Sequence, residues 1–290
     1  MLSGSFWVKF PMDNMEAKNI YPLSGVLEYK YNCKPDVAFI VNYFAKPNLI
    51  VQMINNARKI SDNMEIIVNN DSKNHIDIFL GVLNHRNDRL IISDDLGEYM
   101  GYNQCAKLST STYLIFNQDD DVPPADNHWW QEVMQCFQQD TQLALITFFK
   151  GGDNYPEGTG IVCNGHRGLV YFLWCANGPF IVKRDAFLEV GMFDSNYFHV
   201  GEAGGGADAD LCTKLWLHGY HCALLDSPET IKFQRRVGGA TGRRNGDKSI
   251  LKINMSKRIL LNNSIYKKNF TGKPLETVLH LINQLNQVNH

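Results

Sequence analysis

The stretch YLIFNQDDDVPP, Tyr113–Pro124, decides how this chain is read. A mostly apolar run ends in three consecutive carboxylates, Asp119, Asp120 and Asp121, followed by two prolines. Like charges crowded together repel unless something positive sits among them. A hard divalent cation such as Mg²⁺ or Mn²⁺ takes oxygen ligands, often one or two carboxylates with phosphates completing the shell. Two carboxylates one residue apart at a strand end can converge on such an ion, directly or through water. The competing reading is a solvated turn, since Asp and Pro both favour turns.

Working outward, VAFIVNYF (37–44) is a short, dense apolar run of the kind a buried parallel strand needs. Pro47 follows, and Ile50, Met53, Ile54, Ala57 and Ile60 then recur at helical spacing. EIIVNND (65–71) predicts the next strand; HIDIFLGVLN, RLIIS and a helix-like GYNQCAKLST lead to the strand TYLIF. This β-α-β-α-β order predicts a mostly parallel sheet with helices on its faces. Such sheets bind ligands at the carboxyl ends of their strands, which is where the acidic triplet falls. Beyond it, Asp126 is the expected N-cap of a helix carrying Trp129, Trp130, Val133, Met134 and Phe137. LALITFF (143–149) predicts a further strand, and a Gly-rich loop (151–168) leads to LVYFLW and GPFIVKRDAFLEVGMF. In the tail, Leu275, Val278, Leu279, Ile282 and Leu285 form one helical stripe. Residues 1–35 show no clean period and read as an irregular lead-in.

The chain's 290 residues, 44% of them apolar, can bury a sizeable core as one large domain or two small ones. A net charge of −2 gives no global field toward nucleic acid or membrane. The seven cysteines are odd in number and contain no CxxC pair, so neither a zinc site nor a disulfide framework is indicated. There is no basic-then-apolar leader and no apolar run near the roughly 18 residues of a transmembrane helix. The expectation is a cytoplasmic, reducing compartment, with peripheral membrane contact through the C-terminal helices as a variant. The few basic residues of the last helix argue against strong anionic-lipid binding.

Three further constellations carry chemistry. In VGEAGGGADADLCTKLWLHGY (200–220) a helix is expected to start near Asp208 or Asp210. One of them as an N-cap would be worth about 1 kcal/mol, but Glu202, Asp208 and Asp210 together exceed what a cap requires. A carboxylate held among Gly204, Gly205 and Gly206 could accept a proton from an attacking hydroxyl. In DDLGEYMGYNQCAK (94–107), Gly97 and Gly101 precede a helix with Tyr102 and Asn103 at its start, a turn able to approach a phosphate or a base. Finally, nine Lys or Arg stand against one acid, Asp247, between Lys232 and Arg258. This Gly-interleaved segment, with Arg235, Arg236, Arg243, Arg244 and Lys248, is either a solvated face or a loop that neutralises a diphosphate. As a nucleic-acid patch it lacks interleaved aromatics beyond Phe233.

Taken in order, these pieces resemble a glycosyltransferase of the GT-A fold, nearest to the inverting family two. VAFIVNYFAKPNLIVQMI resembles that family's first strand and helix, and EIIVNNDS the strand whose end meets the nucleotide base. LGEYMGYNQCAKLSTSTYLIFNQDDDV resembles the run into the metal-binding D-x-D, and NGPFIVKRDAFLEVGMFDSNYF the acceptor-side segment. GADADL resembles the E-D-x-D-L element. The likeness covers roughly residues 36–235. It implies a Rossmann-like, mostly parallel α/β sheet flanked by helices, a lead-in over 1–35, and a basic loop with a C-terminal helical extension over 236–290. It implies that Asp119 and Asp121 hold Mn²⁺ or Mg²⁺ on the diphosphate of a nucleotide-sugar donor, and that Asp208 is the general base for a glycan or other hydroxyl acceptor. Asn70, Asp71, Gly97, Asn103 and Asp120 would line the nucleotide site, and Arg235 or Arg236 would share the diphosphate charge.

The chain departs from the pattern in three places. The strand-end acidic pair is NND, Ala207 replaces the Glu of the catalytic element, and no His stands between His221 and His280 where many metal-dependent relatives have a ligand. A sugar-phosphate nucleotidyltransferase is the nearest rival; it would normally place a Gly-rich basic loop after the first strand, where NYFAKPN offers one Lys and no Gly. A non-catalytic glycan-binding module is the other. The C-terminal helices are expected to pack on the sheet or to mediate a homo-oligomer.

Overall fold

The computed structural model describes residues 6–8, 35–44, 46–83, 87–94, 96–148, 168–174, 178–198, 206–235 and 260–288. Four parallel strands form the centre of its sheet: β2 (Val37–Tyr43), β3 (Met64–Asn70), β4 (Arg89–Ile92) and β5 (Tyr113–Gln118). Every residue of β2 and β3 is buried, as strands covered on both faces must be. The expected βαβ order therefore holds. Beyond β5 the sheet becomes mixed. β9 (Phe180–Lys183) lies antiparallel between β5 and β7 (Leu143–Thr147), β10 (His221–Asp226) runs parallel to β7, and β8 (Gly168–Tyr171) closes that edge. At the opposite edge, β1 (Phe6–Val8) pairs antiparallel with β4. The lead-in thus contributes a strand, one too short at three residues to show a period. The full order is β1-β4-β3-β2-β5-β9-β7-β10-β8.

Helices follow the strands. α1 (Pro47–Ala57) opens on a proline, whose fixed φ and missing N–H suit the first helical position. It buries Ile50, Met53, Ile54 and Ala57, most of the stripe legible in the sequence. α2 (Ile76–Val82) packs on α1 and α3 (Glu98–Leu108) on β2 and β3, while α4 (His128–Gln139) lies against β7. Asn127, not Asp126, occupies the N-cap position of α4; Asp126 Oδ1 instead accepts the His128 N–H at 3.2 Å. α5 (Arg184–Glu189) and α6 (Ala207–Leu217) complete the domain, and rings of Tyr102, Phe116, Phe180, Phe187 and Phe193 pack between α3, α5 and the sheet. Cys105, Cys136, Cys212 and Cys222 are buried thiols, consistent with small apolar side chains.

The C-terminal residues form helix α7 (260–270) and α8 (Leu275–Val288). Val278 and Ile282 of the predicted stripe join the main core, with Leu285 packed against it. The Asn286 carboxamide bonds both backbone groups of Tyr171 in β8, at 2.9 and 3.0 Å. Packing on the sheet is thus the observed role. Among the described residues, no helix is long and apolar enough to cross a membrane.

Near the same edge, Asp140 accepts hydrogen bonds from Tyr171 Oη (2.9 Å) and His221 Nδ1 (2.7 Å). Burial alone would raise its pKa, but the bonds from His221 and Tyr171 outweigh that and hold the carboxyl below its ordinary value. A depressed carboxylate contributes stability above its unfolded pKa and loses it as pH falls through the folded one. Asp140→Asn is therefore expected to lower the melting temperature at pH 7, with the gap to wild type closing below about pH 4 in thermal scans.

Candidate active site

The acidic triplet follows the carboxyl end of β5. Its last member opens β6 (Asp121–Val122), a two-residue ribbon paired antiparallel with β11 (Gln234–Arg235), which sets the Arg235 backbone opposite Asp121. The turn is fixed from beneath by Asn117 Nδ2, which donates to the carbonyls of Gln118 (2.8 Å) and Asp121 (2.7 Å). Asp119, Asp120 and Asp121 are only 4%, 5% and 1% exposed, so the triplet is not a solvated turn. Asp119 Oδ2 accepts the Phe44 N–H at the end of β2 (3.0 Å), and Asp120 pairs with Lys46 Nζ (3.0 Å). Three adjacent buried carboxyl groups are costly to keep ionised without cations close by. Asp119 and Asp121 offer oxygen donors of the kind Mg²⁺ or Mn²⁺ takes, a shell that phosphates commonly complete.

Among the described residues, the one group of three potential metal ligands that converges is a different one. Asp126, His128 and Glu229 bring their ligand atoms within 4.8 Å of one another. Lys232 already answers that charge, in ion pairs with both Glu229 and Asp126 (3.7 Å to the latter).

On the other flank of β2, Asp71 holds the approach to α3. Its Oδ1 accepts the Leu96 N–H at 2.7 Å and its Oδ2 the Gly97 N–H at 2.8 Å, with the Ser93 hydroxyl also at 2.8 Å. Gly97 has φ 84°, a left-handed value that glycine adopts readily, and stands at the N-cap position of α3. Asp71 and Gly97 thus form one structural unit. Asn70 spends its carboxamide on the following turn, bonding Ser72 and the Asn74 carbonyl. Asn103 lies deeper in α3, where its carboxamide bonds both backbone groups of Phe193 (2.8 and 3.1 Å). Beneath α3 runs a buried polar chain: Asn69 Nδ2 donates to Asn42 Oδ1 (2.6 Å), and the Ser93 hydroxyl reaches Asn69 Oδ1 (2.9 Å). Glu98, the first residue of α3, accepts hydrogen bonds from Gln118 Nε2 (2.8 Å) and Tyr102 Oη (3.0 Å). Burial raises the Glu98 pKa against those two bonds, and the charges of Asp119 and Asp120 raise it further.

The third part is the start of α6. Gly206, at φ 82°, occupies the N-cap position, and both Asp208 and Asp210 lie inside the first turn. Neither aspartate is therefore the cap expected of one of them; glycine takes that place because the chain enters the helix in a left-handed conformation. The two carboxylates have divided their roles. Asp210 is 1% exposed and accepts hydrogen bonds from Tyr197 Oη and Asn269 Nδ2 (both 3.2 Å) while pairing with Lys214 (3.0 Å). Asp208 is half-buried, with one oxygen accepting the Ala209 N–H at 3.0 Å. Residues 192–198 tie this helix to α3: Lys214 Nζ donates to the Met192 carbonyl (2.6 Å), and Tyr99 packs on Phe193 and Phe198 with ring centroids 4.6 Å apart. Glu202, Gly204, Gly205, Arg236 and the rest of the basic loop lie outside the described residues. Lys46, Glu98, Gln118 and Asn269 are additions that no motif announced; the one available signal was a lysine directly before a helix-opening proline.

No protein-family model matches this chain, and no curated protein does. Solved structures do. The mannosyltransferase PcManGT from Pyrobaculum calidifontis, in complex with GDP-Man and Mn²⁺, superposes with a TM-score of 0.56 over 86% of this chain and 69% of that one, at 16% identity. GalNAc-T7 with UDP, GalNAc and Mn²⁺ gives 0.52 over 70% of this chain and 44% of that one, at 12% identity. S. aureus TarS with UDP-GlcNAc gives 0.53 over 78% and 66%, also at 12%. This chain therefore spans roughly half to two-thirds of the length of such structures, and at these identities the likeness is one of fold.

Proposed function

We propose, with the GT-A fold of this chain as the premise, that it transfers a sugar from a nucleotide-diphosphate sugar to an acceptor hydroxyl with inversion. The observation that carries this reading is the acidic triplet, buried at the carboxyl end of a central parallel strand. The neighbours crystallised with GDP-Man, UDP-GlcNAc or UDP, two of them with Mn²⁺, support the same class of donor.

On this reading Asp119 and Asp121 would hold the divalent cation, and Asp71 and Gly97 would shape the nucleotide side by fixing the loop into α3. Bound there, the cation would act as a Lewis acid toward the charge developing on the leaving diphosphate. Asp208, more open than the enclosed Asp210, stands on the first turn of α6 as the base for the acceptor hydroxyl. Attack from the face opposite the leaving group inverts the anomeric centre in one displacement. Asn70 and Asn103 act through the scaffold, one closing the turn after β3 and the other joining α3 to Phe193. Arg235, whose backbone pairs with Asp121 across the β6–β11 ribbon, and Arg236 would share the diphosphate charge.

Thermal-shift screening of UDP- and GDP-sugars with and without Mn²⁺ tests the reading. A Mn²⁺-dependent rise in melting temperature with one nucleotide class is expected. Asp121→Ala is then expected to weaken calorimetric binding of that nucleotide in Mn²⁺ by about tenfold or more, the usual worth of a charge-assisted interaction. Unchanged binding would remove the triplet from the site.

A further inference from the structure

Among the described residues, Lys46 is the one lysine that is buried. Its side chain is 6% exposed and Asp120's is 7%, with Nζ and Oδ2 3.0 Å apart. An ammonium carries three N–H donors, and among the described residues Asp120 is the partner of this one. A buried ion pair is weak evidence for stability: desolvating both groups offsets most of their attraction, and apolar replacements often do as well. Its place supplies a better reason. Lys46 stands at the N-cap position of α1, two residues after Phe44, whose N–H binds Asp119. The pair therefore lies between the end of β2 and the middle of the acidic triplet.

Charge balance then decides what it does. Three carboxylates against one divalent ion leave one negative charge in excess, and a diphosphate brought to that assembly is repelled. Lys46 cancels the excess, and its remaining donors can meet a phosphate oxygen in a charge-assisted hydrogen bond. We infer that Lys46, held by Asp120, binds the diphosphate of the donor nucleotide. This rests on the transferase reading above and adds to it a binding residue outside the acidic motif and the basic loop.

The test is calorimetry in Mn²⁺ on the full chain, using UDP, GDP, uridine and guanosine as probes. For whichever diphosphate wild type binds, Lys46→Met is expected to lose about tenfold or more in affinity. Affinity for the matching nucleoside should stay within about twofold, and Lys46→Arg should restore most of the diphosphate affinity. The double variant Lys46→Met/Asp120→Asn leaves the net charge of the assembly unchanged, so it isolates the lost N–H donors; it should still bind the diphosphate more weakly than wild type, and it carries the comparison if the single variant does not fold. Undiminished diphosphate binding by Lys46→Met, a parallel loss of nucleoside affinity, or recovery in the double variant would each overturn the inference. Wild type that binds neither UDP nor GDP would overturn the transferase reading itself, and this assignment with it.

Discussion

Replacing Asp208 by Asn is expected to slow sugar transfer by about 10²- to 10⁴-fold, the usual worth of a positioned general base. The affinity for the donor nucleotide should hardly change. The expectation follows from the division of labour on α6. Asp210 is closed in by Tyr197, Lys214 and Asn269, so Asp210→Asn should mainly lower the melting temperature. Asp208 is half-buried on the same turn, and Gly206 rather than either aspartate stands at the cap position. An amide there keeps the shape and removes the proton acceptor. Initial transfer rates set beside calorimetric nucleotide affinity make the distinction. Equal loss of both would mean that Asp208 serves the helix rather than the reaction.

The largest stability effect is expected at Gly101. A Cβ added there would stand 2.2 Å from Asn42 Oδ1 and 2.6 Å from Asn69 Nδ2, two atoms already hydrogen-bonded to each other under α3. Both side chains are buried in central strands, and Asn69 is held by Ser93 as well, so neither can swing aside. Gly101→Ala thus combines overpacking, typically about 1–3 kcal/mol, with a broken buried hydrogen bond of similar cost. The gain of about 1 kcal/mol in helix propensity offsets only part of this. A net loss of about 3 kcal/mol, or roughly 6–12 °C in melting temperature, is expected. Gly81 in α2 is the control, because a Cβ there meets nothing within 4 Å. Gly81→Ala should stabilise by about 0.5–1 kcal/mol. If both alanines shifted the melt the same way in circular dichroism, the close approach of α3 to the sheet would be wrong.

The dense apolar runs of β2, β3, β5 and β7 were legible because strands buried on both faces need continuous hydrophobicity. The stripe of α8 was legible through its helical period. β1 and the β6–β11 ribbon were not, since two or three residues carry no period. In the site, the acidic triplet announced itself through like-charge crowding. The difference between Asp208 and Asp210 did not, because it depends on Tyr197 and Asn269 arriving from distant parts of the chain. The pairing of Lys46 with Asp120 spans 74 positions and leaves no local trace. Asn42 and Asn69 gave no signal of their own within the runs read as strands, and only the fold shows them bonded to each other beneath a glycine.

The bonding of Asn286 to Tyr171 reaches beyond the site. An outermost strand offers its N–H and C=O groups to any extended chain that drifts past, and so templates sheet-to-sheet association. Here one side-chain amide occupies both groups of a single residue, while α8 packs against the same strand. Trimming the chain short of residue 286 would uncover a sticky border and favour clumping, even with the cleft chemistry untouched.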